Sequence, residues 1–166
     1  HRDLHSFPHD ALPILVILAP YPARLLATDA ASAPLRGFLT GSIDVVLKLP
    51  SQRFVVVDYK TNRLPVPPEQ ELSVEHYGPS AMAEAMMQAH YPLQALLYCA
   101  ALHRFLTWRL PGYSPGKHLG GVGYLFVRGM AGPGTPVVAG GRCGVFEWFP
   151  PAALVVEVSD LLGGGR

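Results

Sequence analysis

Two apolar runs joined by a short polar turn, within residues 37–60, restrict what this chain can become more than any other feature. "GFLTGSIDVVLKL" (37–49) reads as a strand, "PSQR" (50–53) as a turn and "FVVVDYK" (54–60) as the returning strand of a β-hairpin. The return strand opens on Phe54 to Val57, apolar enough for a core, then meets Asp58 and Lys60. Centring the hairpin on Ser51 sets Asp44 opposite Asp58, each seven residues away. Opposed Cβ atoms on one face lie roughly 4.5–5.5 Å apart, and like charges there repel. Two carboxylates so placed share a proton or hold a cation. Strand alternation puts Lys60 on the face of Asp58.

That grouping has a chemical use. Oxygen ligands suit Mg²⁺ or Mn²⁺, which keep several waters and take phosphate oxygens. Such an ion lowers the pKa of water, polarises a phosphodiester and neutralises developing charge. A neighbouring ammonium orients or helps deprotonate the attacking water and stabilises the transition state. Taken alone, the D-x-K tripeptide reads rather as an exposed ion pair at a strand end, with Asp44 a turn-side acid; a strand-borne Asp44 at hairpin spacing brings the metal-site reading level with it.

The rest of the chain sets the frame. Its 166 residues fit one domain with a sizeable core. A hydrophobic fraction of 49% against 15% charged excludes a disordered chain. The net charge of +1 neither demands nor excludes a nucleic-acid partner. Cys99 and Cys143 lack CxxC spacing and read as reduced structural thiols, which suits a cytoplasmic protein. "ALPILVILAP" (11–20) is too short to span a bilayer and lacks the flanks of a secretory signal, so it reads as a buried strand or edge segment. After a Pro-rich loop, "PSAMAEAMMQAH" (79–90) and "YPLQALLYCAALHRFLTWRL" (91–110) read as helices, Pro92 suiting a first turn. Leu93, Leu97, Ala101 and Phe105 are expected to pack in the core. "VGYLFVRG" (122–129) and "GVFEWFP" read as strands, "GPGTPVVAGGRCG" as a flexible loop without a phosphate-cradle ending, and "PAALVVEVSDLL" as a closing helix. His76, His90, His103 and His118 show no metal-ligand spacing. This mixed order points to an α/β or α+β layer fold.

"GFLTGSIDVVLK", "VVVDYKTN", "MQAHYPLQALLYCAALHRFL" and "HLGGVGYLFVRGM" occur in this order. Together they resemble the C-terminal nuclease domain of RecB subunits of bacterial RecBCD helicase–nucleases (exodeoxyribonuclease V), members of the PD-(D/E)xK superfamily. The resemblance implies a restriction-endonuclease-like α/β fold, a central mixed sheet flanked by helices, with residues 37–166 as the core. Residues 1–36 would be a truncated N-terminal part of the domain, and an opening His1 suits a fragment. It implies metal ligation by Asp44, Asp58 and the carbonyl of Tyr59, with Lys60 the catalytic lysine. Gln94 and Tyr98 match a Q-x-x-x-Y element that contacts DNA or braces the site, and their i, i+4 spacing places both on one helix face. Arg63 and Arg128 are further candidates for DNA phosphates. The family's upstream helix carries a metal-binding His; His1, His5 and His9 lie in a Pro-containing segment that suits such a helix poorly, so no counterpart is assigned.

The implied activity is Mg²⁺-dependent DNA hydrolysis in double-strand break repair and recombination, with Mn²⁺ a possible substitute. ATP enters only through a separate helicase region, and RecC-like and RecD-like subunits and a RecA-type recombinase are the implied partners, with no membrane. Two other readings stand beside it: a catalytically impaired docking module of the same complex, and a stand-alone nuclease of the superfamily, against which the lack of a cysteine cluster argues.

Overall fold

The computed structural model describes residues 18–27 and 40–163. Its hairpin turn closes through Leu49 N–H to Arg53 O (2.8 Å) and Gln52 N–H to Leu49 O (2.9 Å), with Gln52 in the left-handed region at φ 65°. Strand β1 (Val45–Lys48) pairs antiparallel with β2 (Phe54–Lys60), from Val45↔Val57 to Lys48↔Phe54. That is the register obtained by centring on Ser51. The first strand is shorter than its sequence suggests: residues 40–44 lie outside the ladder, and 37–39 fall outside the described residues.

From β2 the chain crosses over through α2 (Pro79–Gln88) and α3 (Tyr91–Arg109), then a one-turn helix, α4 (Pro115–His118), and returns as β3 (Leu119–Phe126), parallel to β2. Parallel strands require such a crossover, and the helices bury one sheet face. A small ribbon of β4 (Val137–Val138) and β5 (Gly141–Arg142) follows, then β6 (Val145–Trp148) and α5 (Ala152–Leu162). The main sheet runs β1-β2-β3-β6, with β6 antiparallel to β3. It is the mixed sheet expected. Among the described residues, no helix is long and apolar enough to cross a membrane.

Four expectations change. Strand β3 begins at Leu119 and ends at Phe126, so Arg128 sits in a 3₁₀ turn, Val127–Gly129, rather than on the strand. The early start rests on a bulge, where pairing shifts between Phe54↔Leu119 and Val56↔Val122. Gly121 fills it at φ 79°; a Cβ there would stand 2.5 Å from Trp148 O, so only glycine fits. The glycine-rich segment is also pinned rather than loose. Thr135 Oγ1 accepts from Ala131 N–H and donates to Gly132 O, both at 2.8 Å, before the β4–β5 ribbon. Of the apolar run 11–20, only 18–20 are described; Leu18 is buried, and the chain there turns toward α1 (Tyr21–Leu26) rather than extending.

The fourth change concerns the long helix. Ala95, Cys99, Leu102 and Leu106 of α3 face the core, with Met82 and Met86 of α2 and Val56, Val122, Tyr124, Phe126, Phe146 and Trp148 of the sheet. Leu93, Ala101 and Phe105 are exposed and Leu97 is half-buried, so that stripe is the outer flank of the helix. Helix α3 is apolar around most of its circumference, so four-residue spacing alone could not select the core side. Both cysteines are free and buried, and burial pushes the Cys99 thiol up to about 12, far from a reactive thiolate.

Glu147 of β6 pairs with Gly123, and burial raises its carboxyl above the ordinary 4.5. An acid raised in the folded state favours the protonated form, so its contribution to stability is present below the ordinary value and is lost as pH rises through the folded one. Glu147→Gln is therefore expected to raise Tm at pH 8 and leave it unchanged near pH 4. Circular-dichroism melts at the two pH values check this.

Candidate functional site

The ladder carried one step beyond Val45↔Val57 sets Asp44 opposite Asp58. Asp44 is exposed, and its Oδ2 accepts the Tyr59 backbone N–H at 3.1 Å, which anchors the acid at the strand mouth. Asp58 is buried at the C-terminal end of β2, on the sheet face covered by α3. The Lys60 ammonium, also buried, lies 2.6 Å from Asp58 Oδ2. This is a charge contact out of hydrogen-bond alignment, because Asp58 Oδ2 makes no hydrogen bond. Tyr59 points its side chain the other way and is 51% exposed, so what position 59 offers the site is backbone.

Helix α3 supplies the wall around the ammonium. Lys60 Nζ donates to Gln94 Oε1 at 3.1 Å, and Gln94 Nε2 donates to Tyr98 OH at 3.0 Å. Tyr124 OH of β3 donates to Gln94 Oε1 (3.2 Å) and to Tyr91 O (3.1 Å). Gln94 thus sits at the node of the network, as a brace. Burial raises the Tyr98 hydroxyl above its ordinary 10.0, and the carboxylates of Asp58 and then Asp44 push it further, so both acids act on one point of the helix. Burial, followed by Asp58, also raises Tyr124. Both phenols stay protonated; Tyr124 OH donates, while Tyr98 OH accepts from Gln94.

Sequence reasoning missed two aromatic members and one amide. The Tyr91 ring stands 3.8 Å from Lys60 Nζ and the Tyr124 ring 5.2 Å, a cation–π seat for the ammonium. The two rings stack at 5.8 Å between centroids and 10° between planes. Tyr91 OH donates to Asn62 Oδ1 at 3.2 Å, and Tyr77 OH donates to Asn62 O at 2.9 Å, fixing the chain just after the D-x-K element. One signal was present: Tyr91, Gln94 and Tyr98 are spaced i, i+3, i+7, a single helical flank. Tyr124 could be found only once β2 and β3 were known to run parallel, with Asp58 beside it.

The two arginine candidates lie nearby and differ. Arg128 Nε donates to Thr61 O at 3.0 Å, leaving its terminal amino groups without a partner among the described residues. Arg63 is exposed and lines a shallow cavity of about 440 Å³ with Leu64, Pro65, Val66, Pro67, Pro68 and Gln70. The histidines found here are structural: His76 caps its own turn through Ser73, and His103 bonds Tyr113 OH at 2.9 Å. His1, His5 and His9 lie outside the described residues.

The donor set fits a hard divalent cation. Asp58 Oδ2 is a buried acceptor without a hydrogen bond, and the other protein oxygens would come from Asp44 and the Tyr59 backbone. Among the described residues no three His, Cys, Asp or Glu side chains come together, so the remaining positions would fall to water or phosphate, as Mg²⁺ prefers.

A profile of the PD-(D/E)XK nuclease superfamily matches residues 17–142. Over 149 residues (90% of the chain) the sequence is 57% identical to the RecBCD enzyme subunit RecB of Mycobacterium tuberculosis, and over 160 residues (96%) it is 52% identical to that of Mycolicibacterium smegmatis. The Escherichia coli RecBCD enzyme subunit RecB is 36% identical over 129 residues, or 78% of the chain. The chain spans 13%, 15% and 10% of the lengths of these three relatives.

Proposed function

Because the chain belongs to the PD-(D/E)XK nuclease superfamily, whose members generally depend on a divalent metal, we propose that it is a Mg²⁺-dependent deoxyribonuclease that hydrolyses phosphodiester bonds. The observation that carries this reading is the meeting of Asp58 and Lys60 at 2.6 Å on one buried sheet face, with Asp44 in register across the hairpin. Asp44, Asp58 and the Tyr59 carbonyl would hold the ion, Mn²⁺ satisfying the same ligands. When bound, the ion lowers the pKa of water and offsets charge developing on the phosphate.

The chain's own residues do the rest. Lys60, pinned by Asp58, Gln94 and Tyr91, presents a fixed positive charge beside the phosphate and orients the attacking water. It needs no reorganisation as charge develops. Gln94 positions that ammonium. Arg63 and the free end of Arg128 flank the exit of β2 and take neighbouring phosphates. By likeness to its relatives, the domain works in a RecBCD-type helicase–nuclease in double-strand break repair and recombination, in the cytoplasm. RecC-like and RecD-like subunits and a RecA-type recombinase are its partners, and ATP is used elsewhere in the assembly.

The test is direct. Purified chain with Mg²⁺ should degrade end-labelled single-stranded or linear duplex DNA and stop on addition of EDTA. No degradation of either substrate would overturn catalysis and leave the docking module. Gln94→Ala is expected to lower kcat about tenfold to a hundredfold with little change in KM, because Lys60 Nζ and Tyr124 OH lose a shared acceptor at a cost of about 1–3 kcal/mol. Steady-state cleavage beside a melting curve checks it.

A further inference from the structure

Helix α3 brings Gln94 and Tyr98 to the site, and it does not end there. At about 100° per residue, Phe105 falls within about 20° of Gln94 in azimuth and Trp108 within about 40°. The flank that carries Gln94 therefore continues through Ala101, Phe105 and Trp108 for about 21 Å. These residues are exposed: Phe105 by 53% and Trp108 by 74%. Two large aromatic faces open to solvent on one flank are costly unless something covers them.

The charge around them selects the occupant. The Arg109 guanidinium stacks on the Trp108 ring at 4.2 Å. Helix α3 carries no Asp or Glu; of its two arginines, Arg104 is held by Ser159 of α5 and Arg109 stands at the rings. Asp160 of α5 acts on His103, which lies about 180° around the helix from Gln94. Aromatic faces beside cations are the chemistry of single-strand binding: bases stack on the rings and phosphates meet the charges. A protein partner would use the rings but has less use for a helix that carries two arginines and no acid of its own.

We propose that the outer flank of α3, through Phe105, Trp108 and Arg109, is a stacking track for single-stranded DNA, carrying the strand that leads to or from the Asp44–Asp58–Lys60 site. This rests on the nuclease reading for its direction, and on exposure, charge and continuity for its ligand. The track binds without base preference, because every base has a π face. Its affinity for DNA falls as salt rises.

Fluorescence anisotropy with labelled oligothymidylates in EDTA, where metal-dependent cleavage is off, tests it. For a strand of about 12 nucleotides, Phe105→Ala/Trp108→Ala is expected to bind about tenfold or more weakly than wild type. For one of about 3 nucleotides the two proteins should differ little. Trp108→Phe should retain most of the affinity, and matching melting curves show that the variants fold. Equal affinity of the double variant and wild type for the long strand overturns the track and leaves the nuclease reading standing. A wild-type chain that binds the long strand through these rings but never cleaves with Mg²⁺ overturns the nuclease reading instead. A dimer seen by sedimentation and lost in the double variant, with DNA affinity unchanged, would assign the patch to protein contact and overturn the track.

Discussion

Asp58→Asn is expected to lower DNA cleavage at saturating Mg²⁺ by about 10³-fold or more while the protein stays folded. The amide keeps the shape of the carboxylate and removes its charge, the strongest ligand available to a cation in the buried half of the site. A metal contributes several kcal/mol to the transition state, and each 1.36 kcal/mol is tenfold in rate, so losing most of its grip reaches about three decades. Lys60 loses its ion partner but keeps Gln94 Oε1 and the Tyr91 ring, which limits the damage to stability. Cleavage across a Mg²⁺ titration, with a melting curve for each protein, separates the two effects. A variant within tenfold of wild type would refute Asp58 as a ligand.

Lys60→Met should produce the second large effect, and it has two readouts. Cleavage is expected to fall by about 10²–10⁴-fold, the range for losing a positioned proton-transfer or charge-stabilising group. Stability should fall too, because Asp58 is left buried without its cation; breaking a buried pair from one side costs about 3–5 kcal/mol. Here the metal gives an independent sign. A bound ion stabilises the folded state by mass action, and the stripped carboxylate has more to gain from one. Mg²⁺ should therefore raise the Tm of Lys60→Met by more than it raises that of wild type. A smaller rise would mean that the ammonium and the ion do not share Asp58.

The hairpin was legible because side-chain period and turn length are local properties: once Ser51 was taken as the centre, the Asp44–Asp58 register followed. Lys60 followed by alternation. The helices at 79–88 and 91–109 were marked by strong helix formers and, in the second, by a first-turn proline, Pro92. What stayed hidden depends on partners far along the chain. The start of β3 rests on a bulge against β2, and the roles of Tyr91 and Tyr124 exist only once the crossover brings α3 over Asp58. The outer stripe of α3 was read as core because an all-round apolar helix hides which side meets the sheet. The first strand is shorter than "GFLTGSI" suggests because the ladder stops at Val45↔Val57, where the Asp44 carboxylate takes the Tyr59 backbone N–H, so residues 40–43 leave the sheet.

The ammonium beside Asp58 has a consequence for how this protein waits. A cluster of bare acids would need an ion to hold its shape, as small zinc domains do when chelators unravel them. Here the polypeptide brings its own counter-charge, 2.6 Å away, and braces it with a glutamine and two stacked rings. On the proposed reading, withdrawing the cation would put such a protein to sleep rather than take it apart, and returning the cation would wake it without a round of refolding.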